Sequence, residues 1–142
     1  MIKWPISINK ENTMLEVGIK GQREIIVTKQ NTAAGIGSGS LEVFSTPIMI
    51  LLMEESCFMS VDDKLDDGFT TVGISVNVKH LSATPLGMKV EIKSDLIKVD
   101  GRALTFKVEA YDEKGLIGEG IHERFIVNNK KFQAKADSKL DK

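Results

Sequence analysis

Glu54 and Glu55 stand at the end of an unbroken apolar run, Ile48-Met49-Ile50-Leu51-Leu52-Met53. A carboxylate held among such residues can work as an acid, a base or a nucleophile. Counted by three and four along a helix, Glu54 shares a face with Ile50, Leu51, Cys57 and Phe58. Glu55 shares one with Leu51, Leu52, Phe58 and Met59. These spacings leave open which of the two turns inward. A glutamate that emerges into solvent near a helix end is the ordinary case. His80 is a second candidate. It closes the alternating run Val72, Ile74, Val76, Val78 and shares its parity, so it should face whatever covers that strand. A histidine there is usually a satisfied core residue, but one that faces glutamates can move protons. Arg124 follows Gly118, Gly120 and His122 on one face of a late strand. It can hold a carboxylate or an anionic ligand, or it can be a strand-end charge paired with Glu123 or Glu42.

The elements that position these residues can be read in part. Residues 43 to 60, VFSTPIMILLMEESCFMS, predict one buried helix. Thr46 suits the cap and Pro47 the first helical position. Because the run is apolar all round, the helix should be wrapped on every side. It is too short for a bilayer, which needs about 20 apolar residues. Residues 15 to 29 predict one long strand or a strand pair, bent or bulged at Gly18 and Gly21. The glycine-rich stretch Gln30 to Leu41 lacks the lysine and the glycine spacing of nucleotide-binding loops. It predicts a flexible connection or lid at the mouth of a pocket. Asp62 to Gly68 predicts a charged turn without calcium-loop spacing.

From Thr70 the pattern predicts an antiparallel meander. Met88, Val90 and Ile92 begin a strand with a change of phase near Ser94. Asp100-Gly101 marks a hairpin. Leu104, Phe106, Val108 and Ala110 form the inward face of the next strand, and the last strand runs from Leu116 to about Val127. Gly118 and Gly120 leave a bare track along which a helix, a backbone or a ligand can approach. Residues 1 to 13, with Trp4-Pro5 and with Ile6 and Ile8 at strand spacing, predict an N-terminal arm or a marginal edge strand, and residues 130 to 142 a charged tail with a short helix. One helix plus a one-sided sheet predicts an α+β domain, the sheet curving around the helix. Its open edges favour a dimer joined edge to edge.

The 142 residues fit a single domain over 1–142. Net charge is −1, from 19 basic and 20 acidic residues, which argues against nucleic acid or an anionic membrane as the main partner. The single cysteine, Cys57, excludes an internal disulfide and reads as a buried small apolar residue. The first ten residues lack a signal-peptide core, so a cytoplasmic location is expected. The two histidines, His80 and His122, lack a clustered ligand pattern, and no metal is expected.

Four motifs occur in order: Val43-Phe44-Ser45-Thr46; Leu52-Met53-Glu54 with Cys57; Val78-Lys79-His80 with Ala83-Thr84-Pro85 and Gly87; and Gly120-Ile121-His122-Glu123-Arg124. Together with Lys131-Phe132-Gln133-Ala134-Lys135, they resemble the hot-dog-fold acyl-CoA thioesterases of the fluoroacetyl-CoA thioesterase type, from about Thr32 to Lys135. The resemblance implies the hot-dog fold, a homodimer or a dimer of dimers, and active sites at the dimer interface. It implies Thr46, Glu54 and His80 as catalytic residues, which selects Glu54 over Glu55. It places Arg124 on the family's active-site arginine and Gly73 on a glycine whose backbone lines the acyl site.

Coenzyme A would enter as part of the substrate, with no separate cofactor. Glu54 would attack the carbonyl or activate water, His80 would move the proton, and Thr46 would orient either or attack itself. Residues 31 to 41 carry no aromatic, where the family's enzyme closes over its acyl group with phenylalanines. A broader or different short acyl group is therefore expected. The rival readings are a non-catalytic module that binds acyl-CoA and a dehydratase or isomerase on the same fold. Lys79, Lys130 and Lys131 are candidate phosphate contacts, though a solvated face explains each.

Overall fold

The computed structural model describes residues 15–141. The expected N-terminal arm lies outside the described residues. Among the described residues, five strands form one antiparallel sheet: β1 (Lys20–Ile26), β2 (Phe69–His80), β3 (Lys89–Asp100), β4 (Ala103–Asp112) and β5 (Gly115–Asn128). Their spatial order is β1-β3-β4-β5-β2. Three helices accompany them: α1 (Ala33–Ile36), α2 (Thr46–Asp62) and α3 (Asn129–Asp137). The sheet curls around α2, the α+β arrangement expected from one apolar helix and a one-sided sheet.

α2 begins one residue earlier than its cap signal suggested. Ser45 is the cap, and its Oγ accepts from the Ile48 N–H at 3.4 Å. Thr46 is therefore inside the first turn, with its hydroxyl free of capping. The buried residues Met49, Leu52, Met53, Ser56, Cys57 and Val61 form a single stripe at helical spacing. Leu51 (45% exposed) and Met59 (54%) lie off that stripe, so a single chain does not wrap the helix on every side as expected.

The core side of the sheet carries Val90, Ile92 and Leu96 from β3, and Leu104, Phe106, Val108 and Ala110 from β4, all fully buried. The bare track on β5 serves two neighbours: Gly120 admits the β2 backbone at Asn77 and Val78, and Gly118 admits the helix. A Cβ on Gly118 would stand 2.6 Å from Met49 Sδ.

The meander prediction holds from β3 to β5 and fails before it. β2 does not pair with β3; it pairs with β5, and the chain crosses the sheet between His80 and Lys89. The free edge of β5 is the available partner once β1 has taken the outer side of β3. The change of phase in β3 falls at Ile97, between the pairs Leu96↔Phe106 and Lys98↔Thr105, rather than at Ser94.

A second irregularity matters more for function. On β2, Gly73 pairs with Arg124 and Ser75 with Glu123, leaving Ile74 as an extra residue. The bulge breaks the alternation expected across Val72 to Val78. Odd-numbered Thr71 and Gly73 face α2 before it, and even-numbered Val78 and His80 face inward after it.

The glycine-rich stretch is built rather than slack. A 3-10 turn at Lys29–Asn31 leads into α1, which Gly37 closes at φ 82°. Buried Asn31 donates to the Ile26 carbonyl at 3.0 Å and accepts from the Thr28 N–H at 2.9 Å. Ala33 and Ala34 N–H groups donate to the Val43 and Leu41 carbonyls at 2.8 and 2.9 Å. The tail forms α3, capped by Asn128, and a final 3-10 turn at Ser138–Leu140.

Candidate active site

α2 runs antiparallel to β2, and the two elements meet at two separate places. At the start of the helix, Thr46 Oγ1 and His80 Nδ1 lie 2.7 Å apart. The Phe44 ring meets the His80 ring edge-on, with centroids 6.3 Å apart. His80 Nε2 is buried and has no partner. Burial lowers the His80 pKa, so the ring is neutral near pH 7. This pair opens on a groove of about 760 Å³ lined by Ala33, Ser38, Phe44, Thr46, Ile50 and His80. Two of those residues come from the glycine-rich stretch, so its expected place at the mouth of a pocket is what the structure shows.

Eight residues further along α2, about 12 Å by helical rise, stands Glu54. Its side chain is 41% exposed, not sealed among apolar residues. Its Oε2 lies 3.9 Å from Arg124 Nη1 and 4.0 Å from His122 Nε2. The bare face of Gly73 makes room for it: a Cβ there would stand 2.8 Å from Glu54 Oε2. Glu55 turns elsewhere and pairs with Arg23 at 3.3 Å.

Arg124 is buried and pairs with neither Glu123 nor Glu42. Its Nε donates to Thr71 Oγ1 at 2.7 Å and its Nη2 to the Thr71 carbonyl at 2.9 Å. Its Cζ lies 5.5 Å from the Phe58 ring centroid. Burial lowers its pKa and the Glu54 carboxylate opposes that shift. An arginine keeps its proton in such a setting, so Glu54 faces a permanent cation.

The candidate residues thus fall into two groups within one chain. Thr46 and His80 form one; Glu54, Gly73 and Arg124 form the other. His122 belongs to the second group and was not singled out from sequence. Its signal was shared parity with Arg124 on a track of glycines. Lys79, Lys130 and Lys131 are exposed. Among the described residues, no three His, Cys, Asp or Glu side chains stand where they could hold a metal ion, and no helix is long and apolar enough to cross a membrane.

Comparison with known proteins gives this geometry a context. A family model described as fluoroacetyl-CoA-specific thioesterase matches residues 27–130. The chain is 39% identical over 98 residues to the fluoroacetyl-CoA thioesterase of Streptantibioticus cattleyicolor, covering 69% of this chain and 70% of that one. A solved structure of a fluoroacetyl-CoA thioesterase superposes with a TM-score of 0.81 at 32% identity, over 87% of this chain and 96% of that one. A Thermus thermophilus thioesterase superfamily member gives 0.82 at 28% identity, over 89% and 93%. For the fold alone, a hot-dog-like protein from Thermanaerovibrio acidaminovorans gives 0.85 at 24% identity, over 92% and 97%. The extent of the family match and the 39% identity together show that this chain is a thioester hydrolase, and that it belongs to the fluoroacetyl-CoA-specific thioesterase family.

Proposed function

We propose that this enzyme hydrolyses a short-chain acyl-CoA thioester with Thr46, Glu54 and His80, at a site that two copies of the chain complete together. The observation that carries this reading is the Thr46–His80 pair, 2.7 Å apart on the wall of the groove. A histidine so held can pass a proton to the departing thiolate or take one from water. The Thr46 hydroxyl sits in the first turn of α2, where free N–H groups and the helix dipole favour a developing negative charge. Glu54, beside the Arg124 guanidinium, is suited to attack the carbonyl carbon or to activate water.

About 12 Å of helix between Thr46 and Glu54 is too far for both to act on one carbonyl. The edge strand β2 offers a resolution. Its residues 73 to 77 are exposed and unpaired on one side, with Ile74 56% and Val76 37% exposed. If two β2 strands pair antiparallel about a point between Val76 and Asn77, Gly73 of one chain lies near the partner subunit's His80. The Thr46–His80 pair of each chain then approaches Glu54 of the other. This reading gives a homodimer, with pairing of dimers optional. We place the enzyme in the cytoplasm, as a single domain with no cofactor beyond the CoA of its substrate.

The absence of aromatics from residues 31 to 41 supports a roomier acyl site than fluoroacetate needs. The test is thiol release from acetyl-, propionyl-, fluoroacetyl-, butyryl- and phenylacetyl-CoA by wild type and Glu54→Gln. Turnover of at least one ester, lost by about a hundredfold or more in the variant, is expected. Unchanged turnover in the variant would remove Glu54 from the mechanism. Saturable binding with no turnover of any ester would leave a binding module instead.

A further inference from the structure

We infer that His122 is a positioning residue, held by the fold in a single neutral tautomer that aims the Arg124 guanidinium at Glu54. This rests on the reading of Glu54 as the reacting carboxylate. His122 is fully buried on β5. Its Nδ1 lies 2.8 Å from the Ser75 backbone carbonyl, and its Nε2 lies 3.1 Å from Arg124 Nη1. A carbonyl only accepts, so Nδ1 must carry the hydrogen. A guanidinium only donates, so Nε2 must present its lone pair. The two neighbours therefore fix the tautomer, and both ring nitrogens are spoken for.

The arginine is consequently held at three corners. Nε and Nη2 are tied to Thr71, and Nη1 gives one hydrogen to His122. The other hydrogen on Nη1 is left for Glu54, 3.9 Å away. The Phe106 ring stacks on His122 from β4, with centroids 6.4 Å apart, and Phe58 lies against the guanidinium from α2. The bulge at Ile74 brings the Ser75 carbonyl to Nδ1 directly after Gly73 has cleared space for the carboxylate.

Protonation would undo this arrangement. An Nε2–H would oppose the Arg124 N–H, so the guanidinium would lose its third anchor. The charged and titratable groups around the ring are Glu54 from α2 and Arg124 and Glu123 from its own strand; β2 contributes the Ser75 carbonyl and β4 the Phe106 ring. Burial is the largest influence and favours the neutral form. The Ser75 carbonyl opposes it, Arg124 reinforces it, and Glu54 and Glu123 oppose it.

The test uses the full chain and whichever short acyl-CoA it turns over best, with kcat and KM measured from pH 4.5 to 8 for wild type, His122→Gln, His122→Leu and Glu54→Gln. Glutamine can set its Oε1 where Nε2 stood and accept from Arg124 without titrating. His122→Gln should therefore keep kcat within about threefold and lose part of the acid limb of the profile. His122→Leu leaves Arg124 without its acceptor and should lower kcat about 10- to 100-fold with KM little changed. Equal kcat in the two variants would overturn the inference. If His122→Leu does not fold, as judged by circular dichroism, the glutamine profile decides: an acid limb identical to wild type overturns the role. A dead Glu54→Gln beside a fully active His122→Leu discards only the positioning role. A fully active Glu54→Gln discards the reading on which it rests.

Discussion

At the scale of single residues, the site depends on an absent side chain as much as on those present. Gly73 has no need of unusual backbone angles; its value is the space beside Glu54. In Gly73→Ala the new methyl would stand 2.8 Å from Oε2 and 3.2 Å from His122 Cε1. The nearer atom is the tip of a flexible side chain, so the fold yields and the carboxylate moves. We expect kcat to fall about 10- to 100-fold with the thermal midpoint nearly unchanged; a wild-type kcat would show that the carboxylate has room to spare. Periodicity left Glu54 as one of a pair, because it places both glutamates on partly apolar faces, and only the family resemblance selected it. What separates them is tertiary: Arg23 waits for Glu55 and Arg124 for Glu54. His122 was not singled out for a related reason, since its importance comes from two neighbours distant in sequence.

At the scale of elements, α2 was legible from its apolar run and Thr-Pro start, but its cap was displaced by one residue. That shift separates two roles that sequence left merged. Ser45→Ala removes the cap acceptor and should cost about 1 kcal/mol of stability, measured by urea unfolding, while leaving the Thr46–His80 pair in place. Thr46→Ala should cost little stability and most of the thiol release. If Thr46→Ala were instead the more destabilising of the two, the hydroxyl would belong to the helix and not to the site. The strands β3 to β5 were legible through Asp100-Gly101 and clean alternation. The course of β2 was not, because the alternation of Val72, Ile74, Val76 and Val78 runs unbroken through its bulge, and a crossing of the sheet leaves no mark in hydrophobic periodicity.

For the molecule as a whole, pH reports on the buried histidines. Both His80 and His122 have pKa values lowered from the ordinary 6.5, chiefly by burial. Below 6.5 the unfolded chain binds protons that the folded chain refuses, so stability should be fully present above 6.5 and decline as pH falls. His122→Gln should flatten that decline, and urea midpoints between pH 5 and 7.5 would show it; a slope unchanged by the variant would place the effect elsewhere. At the alkaline end the Cys57 thiol, pushed up to about 12 by burial, should weaken the fold as pH rises past the ordinary 9.0. Assembly can be tested by mixing. A chain carrying Thr46→Ala and His80→Ala, co-folded with one carrying Glu54→Gln, should regain activity that neither has alone, because one of the two shared sites would be intact. No recovery would mean that each chain works with its own residues.

The extra residue in β2 has a consequence for anyone who would move this site. A strand with one bulge carries two reading frames, and the site draws Gly73 from the first and His80 from the second. Copied residue by residue onto a regular edge strand, the same letters would turn one of the two away from the helix. The transferable unit is therefore the strand together with its partner β5, whose unbroken face of Gly118, Gly120, His122 and Arg124 keeps the count for both.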